Sequence, residues 1–466
     1  MKRLYNQSIL GFIAIVFLIS CRKFVEIDPP KTSLIKSTVF TNDVTATAAM
    51  MDIYAQMVSP ASYTGGSNAS LSYLGALSAD ELDLYSTTPA EVEFANNNLT
   101  PLTSTSLWRS AYQQIFRANA VLEGLIGATQ LTPALKSRLE GEAKFIRAFA
   151  HFYLVNLYGD VPLVLTTDYK VNAVQPRTPE AAVYQQIIID LKDAQNLLSE
   201  SYQAANGTVT TERKRLNKFA ATAMLARIYL YTGNWINAES EATKVINYTA
   251  LYGSEPIANM FLKNSKEAIW QLARDGGNTN DAGTFAFSTQ PNSASLKPAL
   301  VLSFDNADLR KANWILTRTF NSSTYYQPVK YKATALSPIT EYSMILRLGE
   351  QYLIRAEARA HQPGKVMSAN SAESDLNFIR NRAGIGNTSA SNETTMLAAI
   401  EQERRFELFT ELGHRWLDLK RTNRTNAVVA PLKGTNWQST DQLYPVPQEQ
   451  IQNDPAMANQ QNPGYQ

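Results

Sequence analysis

The residues able to do chemistry are few. His151, His361 and His414 stand far apart in the chain, and none falls in a metal-ligand spacing such as H-E-x-x-H. His151 sits in an apolar stretch, where a hydrogen-bonded core histidine is the expectation. A serine nucleophile would want a strand–turn–helix G-x-S-x-G. The nearest approach, Gly65-Gly66-Ser67-Asn68-Ala69, lacks the last glycine and a preceding strand pattern, and reads as a polar turn. Neither G-x-G-x-x-G nor a P-loop occurs, so no nucleotide fold is supported. Paired carboxylates remain, because a glycosidase needs only two at a suitable separation. Asp80, Glu81 and Asp83 stand together, with Glu91 and Glu93 behind them, yet nothing in the spacing selects an acid and a base. Loop capping or hydrogen bonding to a ligand is the leading reading. The dense charge at Glu401, Glu403, Arg404, Arg405, Glu407 and Glu411 reads as a helix laced with pairs, such as Glu401 with Arg405 at i,i+4.

One cysteine, Cys21, excludes disulfide frameworks, thiolate metal sites and iron–sulfur clusters, since each needs several sulfurs. Its position points to a covalent role. Lys2 and Arg3 precede an apolar run from Ile9 to Ile19, long enough for the core of an export signal and too short to span a bilayer, which takes roughly 20 residues. The run ends in Leu18-Ile19-Ser20-Cys21, similar to the lipobox of bacterial lipoproteins. Residues 1–20 are therefore expected to be a signal peptide and Cys21 to be lipidated. Residues 21–31, with Asp28-Pro29-Pro30, are expected to form an extended tether.

Those groups must be positioned by the rest of the chain, which reads mostly as helix. Of 466 residues 44% are hydrophobic and 10% aromatic, while 43 Lys+Arg against 41 Asp+Glu leave a net charge of +2. Such balance argues against a nucleic-acid binder, which concentrates a basic excess. Trp108, Ile115 and Leu122 recur at helical spacing, as do Leu139, Ala143, Ile146, Ala150, Tyr153 and Leu157. Phe145, Phe149 and Phe152 on the opposite side predict a second helix buried nearly all round. From Leu216 to Tyr248, small residues at Ala226, Ala238 and Ala242 with a Gly233-Asn234 turn match a tetratricopeptide helix pair. A second pair is expected from Leu346 to Arg382, broken at Gln362-Pro363-Gly364. The expected architecture is mainly all-α. Degenerate repeats at about 108–157, 179–248 and 344–382 form a scaffold within one body, 32–466. Insertions 58–106 and 252–342, rich in Ser, Thr, Asn, Tyr and Phe, give an irregular, ligand-facing side.

Taken together these segments resemble the SusD/RagB family of outer-membrane nutrient-binding lipoproteins. The resemblance rests on Cys21 to Pro30, Trp108 to Asn119, Glu142 through Pro162, Arg347-Leu348-Gly349-Glu350 through Ala358, Glu403-Arg404-Arg405-Phe406-Glu407-Leu408, Gly413 through Arg421, and Asn462-Pro463-Gly464-Tyr465. It implies a fold with four tetratricopeptide-like units, no catalytic activity, no cofactor and no metal. It implies a lipid-anchored place on the outer membrane, as a lid over a TonB-dependent transporter that receives glycans or, in some branches, peptides. Arg347, Glu350, Arg355, Glu357, Arg415 and Asp418 are read as buried ion pairs that fix packing.

Binding should use flat aromatic faces beside planar polar groups, because sugar rings expose C–H patches and hydroxyls together. The insertions supply Tyr63, Tyr73, Asp80, Tyr85, Phe287, Trp314, Tyr325 and Tyr326. Trp314, Tyr325 and Tyr326 form the expected site, with Tyr85 and Asp80 as its second wall. Two other classes compete: a surface glycoside hydrolase using loop carboxylates, and a repeat scaffold without a small ligand.

Overall fold

The computed structural model describes residues 36–465. The signal, the tether and Cys21 lie outside the described residues. The principal helices are α1 (Asp43–Met57), α2 (Leu71–Ser78), α3 (Thr105–Leu125), α4 (Pro133–Tyr158), α5 (Glu180–Leu197), α6 (Lys218–Tyr231), α7 (Trp235–Ile246), α8 (Leu348–Ala360), α9 (Ala372–Arg382), α10 (Glu393–Leu408) and α11 (His414–Arg421). Strands β1 (Leu82–Leu84), β2 (Ala268–Leu272), β3 (Ala294–Leu296), β4 (Ile315–Phe320), β5 (Ser323–Pro328) and β6 (Ser343–Arg347) pair antiparallel as β1–β3, β2–β6 and β4–β5. The fold is mainly all-α, as its periodicity predicts.

Local sequence explains the helix ends. Pro133 opens α4 with φ preset for the first turn, and Gly159 at φ 72° closes it where a side chain would be strained. Phe145, Phe149 and Phe152 on one side of α4 and Ile146, Ala150 and Tyr153 on the other are all at least 99% buried. Burying each of the Phe and Ile side chains among them contributes about 1.5–3 kcal/mol. Asn217 caps α6, its side chain accepting from the Ala220 N–H at 3.0 Å, and every residue from Phe219 to Leu230 is buried. Gly233, at φ 69°, turns the chain into α7.

Packing runs in series: α3 on α4, α4 on α5, α5 on α6, α6 on α7, α7 on α8, and α8 on α9 and α10. About a hundred residues separate α7 from α8, yet the two are neighbours. The connection is closed by β2 and β6, whose residues are all buried. β6 leads directly into α8, so the chain that leaves the stack after α7 is returned to it one helix further on.

The insertions hold short elements that sequence periodicity does not reveal. In residues 58–106, α2 is buried at every position, so it carries no polar face to betray it. Residues 252–342 hold four of the six strands and three short helices, Asp281–Phe285, Pro298–Ser303 and Leu309–Trp314.

Candidate functional site

The irregular side is held to the helices by buried charge. Arg310, in the Leu309–Trp314 helix, meets Asp308 at 2.8 Å, Glu403 at 2.7 Å and Glu407 at 2.9 Å, with no solvent exposure. Arg347 bridges Glu407 at 2.6 Å and Glu411 at 2.8 Å. Lys330, just past β5, meets Glu411 at 2.5 Å and donates to the carbonyls of Glu407 and Phe409 at 2.8 Å. Burial pushes the Lys330 ammonium down to about 8 in spite of Glu411. Glu350 pairs with Arg227 at 2.6 Å, Arg355 with Asp375 at 2.6 Å, and Asp418 with Arg404 at 2.8 Å. Glu357 meets Arg421 at 2.5 Å. These charges are structural, as their apolar helical setting predicts.

The pairing pattern differs from the i,i+4 expectation on α10. Glu401 reaches Arg415 at 3.2 Å and Arg424 at 2.8 Å, while Arg405 reaches Asp80 at 2.9 Å. Because α10 is packed on several sides, its charges find partners from distant segments. None of these is an exposed intrahelical pair.

Two expected ligand residues belong to this framework, which corrects the sequence reading. Asp80 is 5% exposed and is clasped by Arg415, whose Nε and Nη2 donate at 2.7 and 3.1 Å. Burial alone would raise its carboxyl, but the hydrogen bonds and charges of Arg415 and Arg405 hold it below the usual range. Trp314 is 1% exposed; its Nε1 donates to the Ile257 carbonyl at 3.1 Å, and its ring packs on Phe261 and Phe409. Neither offers a face to a ligand. Tyr63 and Tyr73 are buried as well, Tyr63 against Phe149 and Tyr153, and Tyr73 with its hydroxyl between Glu91 and Ser293.

The other loop carboxylates are also engaged. Asp83 meets Lys297 at 2.5 Å, Glu91 accepts from Asn68 and Tyr73, and Glu93 accepts from Thr100 and Thr103. Glu81, next to Asp80 in the chain, is buried. Burial, then repulsion from Asp80, pushes its carboxyl up to about 7, and it accepts one bond, from the Thr410 N–H at 3.2 Å. Among the described residues no group of His, Cys, Asp and Glu could hold a metal ion.

What converges is aromatic. Tyr85 follows β1, with its N–H donating to the Ser293 carbonyl at 2.8 Å. Its ring meets that of Tyr325 edge-on at 5.6 Å, and the Phe287 ring meets Tyr325 edge-on at 6.5 Å. Three rings from three separate segments thus form one patch, and Tyr85 is 37% exposed. Tyr326 is not beside Tyr325. Successive strand residues point to opposite faces, so the Tyr326 ring turns away from Tyr325 and packs, half-buried, against the core, while its backbone N–H donates to Ser295 Oγ at 2.9 Å.

From Phe287 a groove of about 690 Å³ runs along the β4–β5 hairpin, over Leu316, Arg318, Gln327 and Lys332. The hairpin turns at Asn321 and Ser322, whose φ values of 47° and 62° are both in the left-handed region that a two-residue turn of matching twist requires. Its register places Arg318 opposite Tyr325 and Leu316 opposite Gln327, on one face. Sequence reasoning missed these groove residues. The alternation on either side of Asn321-Ser322 is the signal that could have found them.

Comparison with known proteins places this architecture. A model described as "Starch-binding associating with outer membrane" matches residues 23–230, and the SusD family model matches residues 304–465. The chain belongs to the SusD family. Two SusD-like proteins of Formosa agariphila are similar to it, one 23% identical over 98% of this chain and 99% of that protein. The other is 28% identical over 77% and 80%. Among solved structures, a laminarin-binding SusD-like protein superposes with a TM-score of 0.72 at 23% identity, over 91% of this chain and 100% of that one. A SusD superfamily protein of Bacteroides thetaiotaomicron gives 0.75 at 22%, over 90% and 99%. The SusD family is associated with the outer membrane. Among the described residues no helix is long and apolar enough to cross a membrane.

Proposed function

We propose that the protein is a cell-surface lipoprotein that binds glycan on the Tyr85–Phe287–Tyr325 patch and delivers it to a TonB-dependent outer-membrane transporter. The observation that carries this reading is the convergence of the three rings, of which Phe287 lines a 690 Å³ groove. Stacked rings suit the C–H faces of a sugar, and Gln327 and Asn313 nearby offer planar amides for hydroxyls. The laminarin-binding relative supports a saccharide over a peptide. The protein binds and does not cleave: the loop carboxylates are held by arginines, lysine, hydroxyls and backbone, away from the groove. Cys21 carries the lipid that keeps the body at the membrane.

A carrier that must release its cargo binds in the micromolar-to-millimolar range, roughly −8 to −4 kcal/mol. Affinity electrophoresis on a polysaccharide panel tests the reading. Tyr85→Ala with Tyr325→Ala should abolish retardation while thermal unfolding stays within a few degrees of wild type. Retention of binding by that stable variant moves the site elsewhere, and release of reducing ends by the wild type makes the protein an enzyme.

A further inference from the structure

The groove carries a charge signature that a neutral sugar does not call for. None of the described residues lining it is an acid, yet Arg318 and Lys332 both are part of its wall. On this side of the molecule Arg310, Arg347, Arg405 and Arg415 are each matched by a carboxylate. Lys297 is matched too, by Asp83. Arg318 and Lys332 make no ion pair with any described carboxylate.

The geometry of Arg318 is specific. Its Nε donates to Gln327 Oε1 at 3.1 Å, which fixes the guanidinium plane and leaves the two terminal nitrogens for a ligand. A planar fork held in this way matches a carboxylate or a sulfate oxygen pair. The hairpin register places Arg318 across from Tyr325 on one face of the hairpin, with the fork leaning to Gln327, so a sugar ring stacked on Tyr325 would present its substituents toward Arg318. Lys332, exposed on the wall of the groove, adds a second charge.

We propose that the groove selects anionic saccharides, whose carboxylate or sulfate ester is held by Arg318 and Lys332 while the ring stacks on Tyr325. This rests on the glycan-binding reading and narrows its ligand class.

The test uses the full-length protein in non-ionic detergent and matched pairs that differ in charge: polygalacturonate against its methyl ester, carboxymethyl-cellulose against hydroxyethyl-cellulose, chondroitin sulfate against chondroitin, and dextran sulfate against dextran. At least one anionic member should bind roughly tenfold or more tightly than its partner, with an advantage that shrinks as salt rises. Carboxylated and sulfated arms separate a uronate from a sulfate ester. Arg318→Gln with Lys332→Gln should remove the advantage. Lys170→Gln with Lys192→Gln, two exposed lysines outside the groove that lower the charge equally, should keep it. Equal or better binding of the neutral partners overturns the selectivity and leaves glycan binding intact. Equal loss in both double variants also overturns it, as diffuse attraction to a polyanion. Failure of every pair removes the glycan-binding reading itself.

Discussion

Asp80 and Tyr85, five residues apart, divide the labour of this side: one is gripped by two arginines in the interior, the other stands at the surface beside Tyr325. Removing Asp80 takes from Arg405 its ion-pair partner and leaves Arg415 only Glu401, and breaking a buried pair in this way costs about 3–5 kcal/mol. Trp314→Ala should cost a similar amount, about 3–5 kcal/mol, by emptying the space between Phe261 and Phe409. Denaturant unfolding checks both, against near-wild-type stability for Tyr85→Ala. Glu81 gives a pH signature. Its folded pKa of about 7 lies above its ordinary 4.5, so the folded state holds a proton that the unfolded state has lost between those values. Stability from this group is present at pH 4.5 and lost as pH rises through 7. Glu81→Gln should therefore match the wild type near pH 5 and exceed it at pH 8 by roughly 2–3 kcal/mol in denaturant titrations. At this scale the sequence was ambiguous for a physical reason. A tryptophan in a polar insertion serves equally well as a binding face or as the plug that lets the insertion fold, and only burial distinguishes Trp314 from Tyr325.

The elements explain how the charges meet. α2 and α11 cross at Gly75 and Gly413, where a Cβ on Gly75 would stand 2.8 Å from the Gly413 Cα. Asp80 follows the end of α2 and Arg415 lies on α11, so this contact sets the distance of their pair. Gly75→Ala should push the helices apart and destabilise by about 1–3 kcal/mol. A lowered denaturation midpoint checks this, and an unchanged midpoint would mean that the crossing adjusts freely. Amphipathic and all-apolar periodicity made α3, α4, α6 and α7 legible, since long helices repeat their pattern often enough to be read. The hairpin was harder. Six residues a strand give few repeats, and Asn321-Ser322 lacks the glycine that usually announces such a turn. The charges of α10 were misread in partner, though not in kind, because spacing along a helix says nothing about which distant segment packs on it.

At the scale of the molecule, the helices from α3 to α9 stack in series, and the chain between α7 and α8 builds the groove before rejoining the stack. The SusD family assignment and the mainly helical class were legible because seven separated segments kept the family's order. The ligand side was not, since its shape depends on contacts between residues hundreds of positions apart, such as Ser78 with Tyr444. The proposed anchor predicts that Cys21→Ala releases the protein from outer-membrane fractions, and a variant that resists alkaline extraction would refute it. The charge framework has a kinetic consequence. Arg310 and Trp314 hold the hairpin at its entry and Lys330 at its exit, so the groove stands ready before a ligand arrives. If the groove binds glycan as proposed, capture is a single encounter whose rate climbs in proportion to ligand concentration, with no slow reshaping step. At an association rate of about 10⁶–10⁷ M⁻¹s⁻¹ and a dissociation constant of about 10 μM, each visit lasts roughly 0.01–0.1 s, and turnover at the surface is set by departure.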